Sequence, residues 1–252
     1  MNASVETLNV APQPAVVVEG ASKRYGDKMA INNINLTIRQ GETVALIGPN
    51  GAGKTTLIES IIGLKQLDEG RVRLFGEEVT KKSAKKLSNI IGVQLQETRW
   101  FKHWQVKEYI DVFASLFDKS ADVEGLIDSL GLRAELTKRI EHLSGGYKQR
   151  LSLLLALINS PKVIFLDEPT TGLDPISRKE LWKKIEELKS KDNTIILCTH
   201  YMEEVRELCD RIVLVSDGQV VANGTAEELI SAAPQDQATL DDAFVFYANK
   251  CA

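Results

Sequence analysis

The chain has 252 residues, of which 43% are hydrophobic and 26% charged, with a formal net charge of -4; these are proportions of a soluble globular chain, and the length fits one α/β domain. No sustained basic block points to nucleic acid as the main partner, and the three cysteines (Cys198, Cys209, Cys251) lack disulfide-framework or metal spacing, which favours reduced thiols in a cytoplasmic protein. The N-terminus does not read as a secretory signal, and apolar runs such as Leu151–Ile158 and Val163–Leu166 fall far short of the roughly 20 residues that span a bilayer.

In chain order, residues 1–14 read as a loose leader rich in Ala, Pro and Asn. From Ala15 the runs AVVVEG and INNINLTI predict β-strands, and INLTI alternates as a half-buried strand does. Gly41 breaks the chain before TVALIG, a continuous apolar strand suited to a parallel sheet covered on both faces. A helix is predicted from Lys54 to about Ile62, with Leu57, Ile58, Ile61 and Ile62 at helical spacing. Residues from about Glu97 to His142 carry helical periodicity, with Gly131 as a stop signal; with the next helix they make a helical insertion of about 97–159. Then come a helix at 146–159, the strand VIFLD, a charged helix at 176–189, the strand TIILCTH and a helix at 202–209. RIVLVSDGQVVANG closes the series as a hairpin turned at Asp217-Gly218. The expected fold is α/β: a core with a mainly parallel sheet, an N-terminal antiparallel β subdomain and a helical insertion, spanning 15–230, with a C-terminal tail at 231–252.

GPNGAGKT at 48–55 fits the pattern G-x-x-x-x-G-K-[ST], and it lies between a strand and a helix start, where a phosphate cradle must lie. In the loop Gly48, Pro49, Asn50, Gly51, Ala52, Gly53, the glycines at 51 and 53 allow a turn tight enough to aim successive N–H groups at phosphate oxygens. The helix N-terminus adds favourable dipole charge. Lys54 is expected to reach the β- and γ-phosphates of ATP and the Thr55 hydroxyl to ligate Mg²⁺, with Thr56 also counted among the nucleotide contacts. VIFLDEP at 163–169 is a buried strand ending in two carboxylates, at the strand end that faces the ligand crevice of a parallel sheet. Asp167 suits the Mg²⁺ shell and Glu168 the polarising of an attacking water; strand alternation would point them in opposite directions. Together the two motifs resemble those of P-loop NTPases.

LSGGYKQR at 143–150 makes the resemblance more specific, because Ser144, Gly145 and Gly146 precede an apolar helix about 20 residues ahead of the carboxylate pair. In that order the motifs resemble those of the ABC-transporter ATPases, over roughly 16–224. The resemblance implies that Ser144–Gly146 serve the ATP held by a second ATPase cassette, so that two chains sandwich two nucleotides head to tail; a homodimer is the expected form, with a paralogous partner cassette as the alternative. Tyr147 stands where the commonest family pattern has Gln. Tyr25, in KRYGDKMA, matches the aromatic that stacks on adenine; the lesser alternative for a lone loop tyrosine is ordinary packing. Gln96, in IGVQLQE, matches the glutamine that touches Mg²⁺ and the water, with Gln94 as a competitor two residues earlier. Asp174, in TTGLD, matches the acid of a loop at the dimer interface, and His200 the switch histidine at the γ-phosphate. Catalytic roles thus fall to Glu168, His200, Gln96 and Lys54.

A cassette of this kind implies separate transmembrane permease subunits and a peripheral position on the cytoplasmic face of the cell membrane. Trp100, Phe101 and Trp104 either fill the docking interface, where aromatics are enriched, or pack in the insertion's own core. The tail ATLDDAFVFYA (238–248) resembles a segment of bacterial export-type members, or is a generic amphipathic helix end. The competing function is a soluble ABC ATPase acting on ribosomes or DNA, although those relatives carry two cassettes or long insertions.

Overall fold

The computed structural model describes residues 14–95, 100–101, 103–117, 121–189, 193–234 and 239–249. Two long strands, β1 (Pro14–Tyr25) and β2 (Lys28–Arg39), pair antiparallel across a two-residue Gly26-Asp27 turn. β3 (Thr43–Ile47) runs into the glycine loop and α1 (Lys54–Ile61). β4 (Glu69–Leu74) returns to pair with β1, and β5 (Glu77–Glu78) pairs with β4. After α2 (Ala84–Ser88) and β6 (Ile91–Gln94) the chain enters the helical insertion. That region holds α3 (Val106–Ser115), α4 (Val123–Ser129), two 3-10 turns and α5 (Gly145–Leu157). The chain continues through β7 (Val163–Asp167), α6 (Pro175–Lys189), β8 (Thr194–Cys198) and α7 (Met202–Leu208). It ends with the hairpin β9 (Arg211–Ser216) and β10 (Gln219–Gly224), then α8 (Ala226–Ser231) and α9 (Leu240–Asn249).

Two sheets result, of order β2-β1-β4-β5 and β10-β9-β3-β8-β7-β6. In the second, every pairing is parallel except β10 with β9. Its central strands are buried on both faces, as their unbroken apolar runs require. Along β7, Val163 and Phe165 enter the core shared with the antiparallel sheet and α1, whereas Ile164 and Leu166 enter the core of the helical insertion. β8 divides in the same way, Ile196 and Cys198 to one side, Ile195 and Leu197 to the other. The insertion is therefore bonded to the sheet by a continuous apolar cluster that also takes in Leu181 and Ile185 of α6.

The described elements differ from the sequence reading in several places. Strand begins at Pro14, within the expected leader. β4, α2, β6 and α8 were not anticipated. In the C-terminal tail α9 buries Leu240 and Ala243, and Leu240 joins the apolar cluster of β9 and α7. Among the described residues no helix is long and apolar enough to cross a membrane.

Candidate functional site

Because β3, β8 and β7 are parallel neighbours, their C-terminal ends share one edge, which is where ligands bind in such sheets. The glycine loop leaves β3 there, the carboxylate pair leaves β7, and His200 lies just beyond β8. At Gly48 (φ 155°) a Cβ would stand 2.0 Å from the Val215 carbonyl oxygen, and at Gly53 (φ 106°) 2.1 Å from that of Ala30. Only glycine admits such a close backbone approach. α1 has no side-chain cap, so its first N–H groups stay available to a ligand. The Lys54 ammonium turns back on the loop, donating to the carbonyls of Gly48 at 2.6 Å and Pro49 at 3.1 Å.

Over this loop lies a cavity of about 320 Å³ lined by Tyr25, Lys28, Ala30, Asn50, Gly51, Ala52, Gly53, Lys54, Thr55, Thr56, Asp167 and Glu168. Tyr25 is 45% exposed, an aromatic face presented to solvent at the pocket rim and not packed into the core. Burial, then the neighbouring charge of Glu168, raises the Asp167 carboxyl above the usual carboxylate range, with Lys54 pulling the other way. A carboxylate so placed gains from a cation beside it.

Glu168 corrects one detail of the sequence reading. β7 ends at Asp167, and Glu168 has φ 51°, so strand alternation does not govern it. The left-handed turn redirects its side chain while its N–H still donates to the Cys198 carbonyl at 2.8 Å. Its Oε2 takes a 3.0 Å hydrogen bond from the Thr171 hydroxyl and lies 2.7 Å from His200 Nδ1. A proton on Nδ1 bonds that carboxylate and leaves Nε2 to face outward.

The pocket thus gathers Tyr25, Asn50 to Thr56, Asp167 and Glu168, with His200 joined through Glu168. Gly48 and Pro49 sit beneath as acceptors for Lys54. Ser144 and Gly145 do not line it; they are exposed, with Ser144 Oγ capping α5 by accepting from the Tyr147 N–H at 3.4 Å. Asp174 caps α6, accepting from Ser177 Oγ at 2.6 Å and from the N–H groups of Ile176 and Ser177. Gln96 lies outside the described residues. Its competitor Gln94 is 1% exposed and bonds Gln149 of α5 at 2.7 Å, facing the interior. Sequence reasoning missed Lys28 and Ala30; the signal available was their place in the same β1–β2 segment as Tyr25.

The sequence pattern of the ABC transporter family matches residues 31–171. Nod factor export ATP-binding protein I of Burkholderia orbicola (strain AU 1054) is 38% identical over 228 residues, 88% of this chain and 74% of its own. Its namesake in Rhizobium sp. (strain N33) is 37% identical over 221 residues, 86% of this chain and 72% of its own. A solved ATP binding subunit of an ABC transporter superposes with a TM-score of 0.84 at 26% identity, covering 92% of this chain and 99% of that one. The cbiO1 protein of Clostridium perfringens, part of the ABC transporter complex cbiONQ, gives 0.76 at 29% identity, covering 87% and 91%. The chain belongs to the ABC transporter family, as an ATP-binding subunit that hydrolyses ATP.

Proposed function

We propose that this ATPase drives export through separate transmembrane permease subunits, as a homodimer at the cytoplasmic face of the membrane. The observation that carries the dimer is the division of the site. Each chain holds one nucleotide pocket and, apart from it, an exposed Ser144-Gly145 helix start whose amides suit phosphate. Two copies facing head to tail bring each helix start to the other's pocket.

In that assembly Tyr25 stacks on adenine and the loop amides cradle the phosphates. Lys54 exchanges its loop carbonyls for the β- and γ-phosphate oxygens. Thr55 and Asp167 form a hard oxygen pair that fits Mg²⁺, and the raised Asp167 carboxyl is the kind a cation relieves. When bound, the metal supplies neutralisation of phosphate charge. Glu168 accepts the proton of the attacking water, and His200 orients Glu168 while its outer nitrogen meets the γ-phosphate. The resemblance assigns Gln96 to the metal and the water. Catalysis is mostly positioning and charge stabilisation.

Assembly with other subunits is supported by the cbiO1 relative, which is part of an ABC transporter complex, and export by the names of the Nod factor relatives together with the 238–248 segment. For docking, Leu64 and Leu95 are exposed beside an apolar groove of about 300 Å³ that Phe113 and Phe117 also line. Phe101 and Trp104, stacked with ring centroids 5.2 Å apart, are exposed on the same insertion. The test is Glu168→Gln: ATP binding is retained, turnover is lost and an ATP-bound dimer accumulates on gel filtration. Steady-state hydrolysis at the wild-type rate would refute the role of Glu168, and an ATP-bound monomer would refute the composite site.

A further inference from the structure

The segment after His200 is gripped by α6 at two points one helical turn apart. Arg178 lays its guanidinium over the Tyr201 ring at 4.5 Å, and that ring lies 4.0 Å from the His200 imidazole, tilted by 37°. Four residues along, Trp182 Nε1 donates to Glu204 Oε1 at 3.1 Å. The spacing puts Arg178 and Trp182 on one helix face. The Thr170 hydroxyl donates to the same Glu204 oxygen.

Glu204 and Thr170 are both 0% exposed, and Glu204 Oε2 is buried without a hydrogen-bond partner among the described residues. An acid in a protein interior with one oxygen unsatisfied is costlier than an aliphatic side chain of its size. Packing does not account for it. Its connections do. Thr170 opens the 170–174 loop two residues after Glu168, Trp182 rides on the helix that Asp174 caps, and the Glu204 N–H donates to the Tyr201 carbonyl at 3.0 Å. With its side chain 60% exposed, His200 takes little orientation from burial; the Tyr201 face and the Glu168 carboxylate supply it.

We propose that Tyr201 and Glu204 are positioning residues that hold His200 on Glu168, and that they do so through α6, so that the 170–174 loop and the switch histidine move as one piece. This rests on the reading of Glu168 and His200 as the hydrolytic pair. Tyr201→Leu keeps bulk but removes the flat face, and Thr170→Val keeps shape but removes the hydroxyl. In the purified full chain each lowers kcat about tenfold while the Kd for a fluorescent ATP analogue stays within about twofold, since misplacement of a catalytic group costs rate more than binding. Tyr201→Phe and Thr170→Ser restore most of the rate. Wild-type kcat in both the Leu and Val variants overturns the proposal. So does a loss of kcat that tracks equal losses in affinity and Tm, which marks a merely structural contact. Glu168→Gln and His200→Ala run alongside: if they hydrolyse ATP normally the pair itself is misassigned, and if they are inactive while Tyr201→Leu is not, the clamp alone fails.

Discussion

Gly53→Ala isolates the demand that the phosphate loop makes on its backbone. The added Cβ would stand 2.1 Å from the Ala30 carbonyl oxygen and 3.2 Å from Ile31 Cγ2, at φ 106°. The nearest obstacle is backbone, so the loop and β2 must part by about 1 Å in an interior packed as densely as a crystal. An L-residue in that region of φ costs about 1–3 kcal/mol. Overpacking adds about 1–3 kcal/mol. A central sum of about 4 kcal/mol lowers Tm by about 8–16 °C in a chain of this size. Gly51→Ala is the control, because its φ is also positive (80°) but the nearest atom is the flexible Lys28 ammonium at 3.6 Å. It carries the conformational strain alone, about 1 kcal/mol. Calorimetric melts of both variants without nucleotide, followed by titration with a fluorescent ATP analogue, measure the difference. Equal Tm losses in the two variants, or a Gly53→Ala chain that melts as the wild type does, would refute the close-approach argument.

Three further outcomes follow from charge and packing. Since the Asp167 carboxyl is raised by burial and by Glu168, the folded chain holds that proton more tightly than the unfolded one. Its contribution to stability therefore falls as pH rises from the ordinary carboxylate value through the native one. Asp167→Asn should raise the nucleotide-free Tm at pH 7 while cutting phosphate release at least about 100-fold. Arg211 grips Glu42 with Nε at 2.5 Å and Nη2 at 2.9 Å, and also donates to the Thr37 carbonyl and Asn223. Arg211→Met should cost about 3 kcal/mol in urea unfolding at pH 7. Burial raises the Glu42 carboxyl, but hydrogen bonds from Arg211 and the Arg39 N–H, with the charges of both arginines, outweigh it and leave it lowered. The stability it brings is present above its unfolded pKa and lost as pH falls through the native value, so the gap between wild type and Arg211→Met narrows on acidification. Trp100 packs against the insertion core and edge-on to Tyr109, whereas Trp104 is 37% exposed. Trp100→Ala should destabilise by about 3 kcal/mol. Trp104 also meets Tyr109 edge-on at 5.7 Å, so Trp104→Ala should cost less stability than Trp100→Ala without being neutral, and should weaken capture by permease-containing membranes in a pull-down by more than Trp100→Ala does.

The features most legible in the sequence were those whose cause is local. TVALIG followed by a glycine loop, or VIFLD ending in two acids, declares both its conformation and its place at a sheet edge. β4 escaped notice because EGRVRL shows only Val72 and Leu74 buried, and its strand state comes from pairing with β1 some fifty residues away. β6 contains Gly92, which reads as a breaker; a Cβ there would meet the Ala156 carbonyl at 2.1 Å, so it marks close packing on α5. Glu204 was invisible for a related reason. In MEEVREL it looks like one more solvated acid, and only the tertiary approach of α6 and Thr170 takes it out of water. The Trp100, Phe101 and Trp104 cluster was legible as a group but not as a division between core and surface, since that depends on where α3 lies.

The Lys54 ammonium, held by the carbonyls of Gly48 and Pro49, bears on how a turnover ends. On the proposed role of Lys54 at the β- and γ-phosphates, a cation with two acceptors in its own loop would meet a nucleotide by exchanging neutral partners for charged ones, which bind it more strongly. The exchange runs in reverse when phosphate departs, and the ammonium then has a prepared resting place in place of a bare, unsatisfied charge. Release is accordingly a contest between two sets of oxygens for one lysine. On that proposal the cleaved phosphate takes negative charge with it as it leaves, which tilts the contest toward the loop, so the grip that captures the triphosphate loosens at phosphate release and not at bond cleavage.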